Sequence, residues 1–179
     1  MSKLVLSEYQ DAWPRQFQQV AEQLLANVAL TGARLEHIGS TSVPGLCAKP
    51  VLDLLLGVNA LGEAEAAIPS LASAGFVYRP EHEVAIPDRR YFVRPEGQTL
   101  RVHLHAVLLG GLIWQQHLYF RDVLRQQPLL REQYATLKRS LLALHAEDKA
   151  AYTEAKAPFI SQVLASSPAL TTRALRSAT

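Results

Sequence analysis

The chain has 179 residues, of which 49% are apolar and 19% charged. That is enough for one substantial core and too apolar for disorder away from the ends. A net charge of +2, with no run of four Lys/Arg, gives no basic footprint for nucleic acid and fits a small phosphate-bearing ligand. The lone cysteine, Cys47, excludes an internal disulfide and a cysteine zinc cluster, and reads as a small residue in a loop.

Residues 11–30 carry Phe17, Val20, Leu24 and Val28 at helical spacing. Asp11 is the expected cap, and Pro14 is tolerated in the first turn. "ARLEHIGS" (33–40) predicts a short strand that ends in a Gly-Ser turn. "PVLDLLLGV" (50–58) is a continuous apolar strand, so both of its faces should be covered. "LGEAEAAIPSLASAG" (61–75) predicts a helix weakened by Pro69 and closed by Gly75. "FVYR", "RRYFVRP" and "LRVHLHAVLL" supply further strands, separated by Pro- and Gly-bearing turns. Beyond Gly110-Gly111 the pattern becomes helical, over 112–126, 128–145 and 147–165. Pro158 must kink or restart the last of these. Residues 1–110 therefore form a mixed α/β half and 111–167 a helical half, with 168–179 read as a flexible tail.

No stretch approaches the roughly 20 apolar residues of a membrane span. "MSKLVLSEYQDAW" lacks the apolar core of a signal peptide. The expected location is the cytoplasm, and no membrane partner is expected.

Asp53 is the one carboxylate in its aliphatic strand. It shares a face with Val51 and Leu55, because strand side chains alternate. A carboxylate among apolar neighbours needs a metal ion, a Lys or Arg, or water at the sheet edge; a strand-end aspartate meeting solvent is the plainer alternative. The preceding turn favours a ligand. Gly39 lets backbone approach closely, exposed turn amides bind phosphate oxygens, and Ser40, Thr41 and Ser42 add hydroxyls. Phosphates beside an aspartate call for a divalent cation such as Mg²⁺.

A strand, Gly-Ser, about a dozen residues and an aspartate in a hydrophobic strand resemble the signature of the nucleotidyltransferase superfamily, with its DNA polymerase beta-like fold. "EHIGSTSVPGLCAKPVLDLLL" is similar to the most recognisable segment of the GrpB family, once called UPF0157. "SEYQDAWPRQF", "VHLHAV", "YFRDVLR", "YATLK" and "YTEAKAPFI" resemble its other motifs in order, over roughly residues 7–165. The resemblance implies an α/β (α+β) nucleotidyltransferase-like mixed sheet with flanking helices, followed by a C-terminal helical segment, all in one domain over 1–167. It also implies kinship with a domain fused to dephospho-coenzyme A kinase in some bacteria. Catalytic members of the superfamily carry a second acid where this chain has Leu55 and a third on a neighbouring strand. That strand here offers His103 and His105 instead. A site with fewer carboxylates would hold Mg²⁺ less tightly and favour a softer ion.

His103 and His105 point to one face of their strand, with Arg101. They could share a metal with Asp53, which makes Asp53, His103 and His105 the expected catalytic and metal-binding set, for Mg, Mn or Zn. One imidazole could instead be a general base, and a pair hydrogen-bonded at a sheet surface is the plainer alternative. His37 is a lesser candidate for the same cluster.

In the helical half, Arg121, Lys138 and Lys156 each interrupt an apolar stripe. Each alone fits a cation snorkelling over a core edge. Three in consecutive helices, with Lys49 ahead of the aspartate strand, point to convergence on phosphates. The expected ligand-binding set is Gly39, Ser40, Thr41, Lys49, Arg121, Lys138 and Lys156. Asp122 and Asp148 are expected to pair with cations or cap a helix. Two functions remain open: metal-dependent nucleotidyl transfer, or a non-catalytic module that binds a nucleotide or phosphometabolite, or aids the folding of a partner.

Overall fold

The computed structural model describes residues 4–28, 30–97 and 100–170. Helix α1 spans Ala12–Asn27 and buries Trp13, Val20 and Leu24. Asp11 stands at the cap position but makes no capping bond. Its own backbone is already helical (φ −63°, ψ −11°), whereas a capping side chain needs an extended backbone to reach the following amides. Strand β1 covers Arg34–Ile38, a 3-10 turn covers Ser40–Ser42, and β2 covers Val51–Val58. The helix expected over 61–75 divides into α2, Leu61–Ala66, and α3, Ile68–Ser73. Pro69 lies in the first turn of α3, where its missing amide costs nothing.

Strands β3 (Val77–Tyr78), β4 (Arg89–Arg94) and β5 (Arg101–Leu108) complete a five-stranded sheet in the order β1-β2-β5-β4-β3. The β2–β5 pair is parallel and the other pairs are antiparallel, so the sheet is mixed. The helical half follows as α4 (Leu112–Gln126), α5 (Pro128–Leu144), α6 (Lys149–Glu154) and α7 (Ala157–Ala165). The break between α6 and α7 is the restart that Pro158 requires, since the proline sits in the first turn of α7. The Asp148 carboxylate caps α6, accepting from the amides of Ala150 and Ala151 at 3.0 and 2.9 Å. Residues 168–170 add a helical turn that buries Leu170. The rest of the expected tail, 171–179, lies outside the described residues.

Register explains how the site arises. Asp53 pairs with His103, Leu55 with His105, and His105 in turn with Tyr91. Alternation then places Asp53, Leu55, His103, His105, Tyr91 and Arg89 on one face. The opposite face carries Leu52, Leu54, Leu56, Val102, Leu104 and Phe92, all buried beneath α1, α2 and α3. Each such leucine contributes roughly 1.5–3 kcal/mol through burial. On the site face, Leu55, Val107 and Ile38 pack against Trp114 of α4. Gly57 permits that approach, since a Cβ there would lie 2.7 Å from the Trp114 ring. Thus β2 is covered on both faces, except where Asp53 opens to a cleft.

Candidate functional site

The cleft begins at Gly39. Its φ of 70° and ψ of −175° belong to a region that is essentially glycine-only. A Cβ there would stand 2.3 Å from Asp53 Oδ2, so the absent side chain is what lets the turn close over the carboxylate. The turn is held from within. Ser42 Oγ donates to the Gly39 carbonyl at 2.6 Å. Thr41 Oγ1 donates to the Val51 carbonyl at 3.1 Å and lies 3.0 Å from His37 Nε2.

The Asp53 side chain is 29% exposed, and its Oδ1 lies 3.2 Å from His103 Nδ1 and 3.8 Å from His105 Nε2. Burial opposes its ionisation, but hydrogen bonding and charge from the two imidazoles outweigh it. The carboxyl is held well below the usual carboxylate range. Burial lowers the pKa of His105, against the pull of Asp53. His105 Nδ1 lies 3.5 Å from Arg89 Nη1, and its ring lies 5.0 Å from that of Tyr91.

A cavity of about 460 Å³ opens over these groups, and Ser40, Lys49, Lys138 and Lys156 also line it. Lys138 is 2% exposed. Its ammonium donates to Ser40 Oγ at 3.0 Å and to the carbonyl of Cys47. Cys47 itself is buried in the small cluster that packs α4 and α5 on the loop. The Lys49 and Lys156 ammoniums lie 4.0 and 4.7 Å from the centre of the Tyr152 ring. Among the described residues these three lysines form no salt bridge. Burial pushes Lys138 and Lys49 down to about 8, with Lys156 adding repulsion to both. Burial likewise lowers Lys156, against the attraction of Asp53. The cavity therefore holds more cationic charge than its single carboxylate can answer.

The structure brings Asp53, His103, His105, Ser40, Lys49, Lys138 and Lys156 to one cavity, with Gly39 shaping its wall. Three sequence expectations fare differently. Arg121, 10% exposed, donates to Glu36 at 2.7 Å, to Asp122 at 2.7 Å and to the His37 carbonyl at 3.1 Å. Its guanidinium is committed to tying α4 to β1, so it does not join the phosphate clamp. The Thr41 hydroxyl is spent on the turn. His37 faces the other side of the sheet, where its ring stacks on Phe17 at 4.7 Å, and burial drops it to about 4.

The expected metal set does not fit a resident cation. Among the described residues no group of three His, Cys, Asp or Glu side chains is disposed to hold one. His103 contacts Asp53 directly, and the position of the usual second acid is Leu55, which is 0% exposed.

Sequence reasoning missed Arg89, Tyr91 and His82 on the cavity wall. It also missed His117 of α4, whose ring lies 5.8 Å from that of His105. Alternation within "RRYFVR" pairs Arg89 with Tyr91, but only the β4–β5 register shows that they face the histidines.

Known proteins resemble this chain over most of its length. A UPF0157 protein of Deinococcus radiodurans is 39% identical over 137 residues, covering 76% of this chain and 69% of that one. The dephospho-CoA kinase of Mycolicibacterium paratuberculosis contains a segment 31% identical over 170 residues, covering 82% of this chain and 42% of the kinase. The crystal structure of the conserved protein GrpB from Enterococcus faecalis superposes with a TM-score of 0.78 at 31% identity, covering 89% of this chain and 94% of that one. The mixed sheet, with a Gly-Ser turn leading into an aspartate strand, resembles the nucleotidyltransferase fold. The family model described as GrpB protein matches residues 3–166, and with that match the chain belongs to the GrpB family.

Proposed function

We propose that the chain binds a nucleotide or a similar phosphorylated small molecule in the cleft over Asp53. Lys49, Lys138, Lys156 and the Ser40 turn hold its phosphate. One observation carries this: three partly or fully buried lysines line one cavity with no carboxylate in contact. Holding Lys138 charged at pH 7 costs about 3 kcal/mol on the basis of its fall from 10.5 to about 8. A chain has no packing reason to accept that cost three times around one space. A phosphate would repay it through charge-assisted hydrogen bonds.

A second reading rests on the Asp53–His103 contact. Oriented through Nδ1, His103 has Nε2 available to take a proton from a hydroxyl of the bound ligand. A fold alone does not decide between binding and turnover. The similar segment within a dephospho-CoA kinase is compatible with an accessory module for phosphorylated metabolites.

The test is a thermal-shift screen of nucleoside mono-, di- and triphosphates and coenzyme A precursors, with and without Mg²⁺ or Mn²⁺. ³¹P NMR of the same mixtures detects turnover. At least one phosphorylated compound should raise Tm by mass action, and Lys138→Gln should remove that rise. If no phosphorylated compound shifts Tm in the unmodified chain, phosphate binding is refuted. If a compound binds and the ³¹P spectrum never changes, the non-catalytic form stands.

A further inference from the structure

The cavity has a second cationic pole that the lysines do not explain. Arg89 of β4 lines its far side, and its Nε is buried with no hydrogen-bond partner. Among the described residues its guanidinium forms no salt bridge. Its recorded contacts are His105 Nδ1 at 3.5 Å and the Tyr91 ring at 5.0 Å. A lysine in this position could shed its proton, but an arginine does not. The charge is permanent, half-buried and unanswered, on a planar fork suited to an oxyanion.

The printed contacts order the groups along the cleft. Lys138 meets Ser40, Gly39 closes on Asp53, Asp53 lies 3.8 Å from His105, and His105 meets Arg89. Two cationic poles thus flank one carboxylate. β4 is two strands removed from β2, about 10 Å across the sheet, so a single phosphate cannot neutralise both poles. Asp53 repels an anion centred above it, which divides negative charge between the two sides.

We infer that the ligand carries two separated anionic groups, in a polyphosphate chain of about triphosphate length, one end on the lysines and Ser40 and the other on Arg89. This rests on the phosphate-binding reading of the cleft and names the class of phosphate compound. Arg89 is the residue that selects polyphosphate over monophosphate.

The test is calorimetric titration of orthophosphate and tripolyphosphate into the full chain, with EDTA present so that chelated metal plays no part. The unmodified chain should bind tripolyphosphate about tenfold or more tighter than orthophosphate, the scale of one charge-assisted hydrogen bond. Arg89→Gln should abolish that preference while leaving orthophosphate affinity within about twofold, whereas Lys138→Gln should weaken both ligands. Arg89→Lys keeps the charge and stem and guards against a folding defect in the glutamine variant; it should retain an intermediate preference. A tripolyphosphate preference that survives unchanged in Arg89→Gln or Arg89→Lys overturns the inference but leaves phosphate binding standing. Equal weakening of both ligands in Arg89→Gln makes the site a single pole and also overturns it. Failure of both anions to bind the unmodified chain removes the inference together with the reading beneath it.

Discussion

Replacing Lys138 with methionine tests whether the cleft is strained by charge when empty. Lys138 is 2% exposed and its pKa falls from 10.5 to about 8, chiefly through burial. The unfolded chain therefore binds more protons than the folded one between those values, and stability rises with pH across that window. The cost at neutral pH is about 3 kcal/mol, of which about 2 should be recovered by pH 9.5. Methionine keeps the stem and drops the charge, but it leaves the Cys47 carbonyl without the bond Lys138 donates. An unpaired buried carbonyl costs about 1–3 kcal/mol. The variant should thus be about as stable as the parent at pH 7, or up to about 1 kcal/mol more stable. The parent should then overtake it by about 2 kcal/mol as pH rises to 9.5. Above pH 10 the comparison loses meaning, because Tyr91 and Tyr152, raised to about 12 by burial first, destabilise the fold as unfolded tyrosines ionise. Urea denaturation at half-unit steps from pH 7 to 9.5 measures the difference. A variant several kcal/mol less stable than its parent, with a gap constant across pH, would show that the Lys138 charge is fully satisfied by Ser40 and Cys47. The case for a missing anion would then collapse.

Gly39→Ala should cost about 3 kcal/mol or more, since it combines a glycine-only backbone with a methyl 2.3 Å from Asp53 Oδ2; urea midpoints measure it, and a loss under about 0.5 kcal/mol would show that the turn relaxes freely. Asp53→Asn should lower stability at pH 7. The folded carboxyl titrates below its ordinary value of 3.8, so its contribution is present above that pH and is lost as pH falls through the folded pKa. The gap between parent and variant should accordingly shrink below about pH 4, and a variant equal to its parent at pH 7 contradicts the imidazole pairing. Binding of a nucleoside triphosphate near pH 8 should take up about one proton, because Lys49 and Lys138 stand near half-neutral there and a phosphate restores their charge. Calorimetry in buffers of different ionisation enthalpy reads that uptake, and proton release would contradict it.

Local pattern was a reliable guide where packing is periodic. The stripe Trp114, Leu118, Leu124 does face inward on α4, and the uninterrupted aliphatic run of β2 is covered on both faces. The same stripes correctly marked Arg121 and Lys138 as inward cations, but they could not say what each would meet. Arg121 meets Glu36, 85 residues earlier. Lys138 meets a hydroxyl and a carbonyl, neither of which carries charge. Both look alike in a stripe, and only tertiary pairing separates a satisfied cation from one that awaits a partner. Arg89 was missed for a related reason. Its relation to the histidines depends on the β4–β5 register, which connects segments joined by a turn of unremarkable sequence.

Asp53 shows most clearly how a partner changes an inference. A carboxylate in an aliphatic strand demanded an answer, and a metal ion was the natural one beside a Gly-Ser turn. Parallel pairing of β2 with β5 places His103 directly opposite it. The charge is answered by imidazoles of the protein, and the carboxyl ionises more readily than usual. The aspartate therefore requires no ion. What the cleft lacks is a counter-charge for Lys49, Lys138, Lys156 and Arg89. The functional case thus passes from the acid that first drew attention to the bases around it, because the unpaired charges, rather than the paired one, carry the cost that a ligand can relieve.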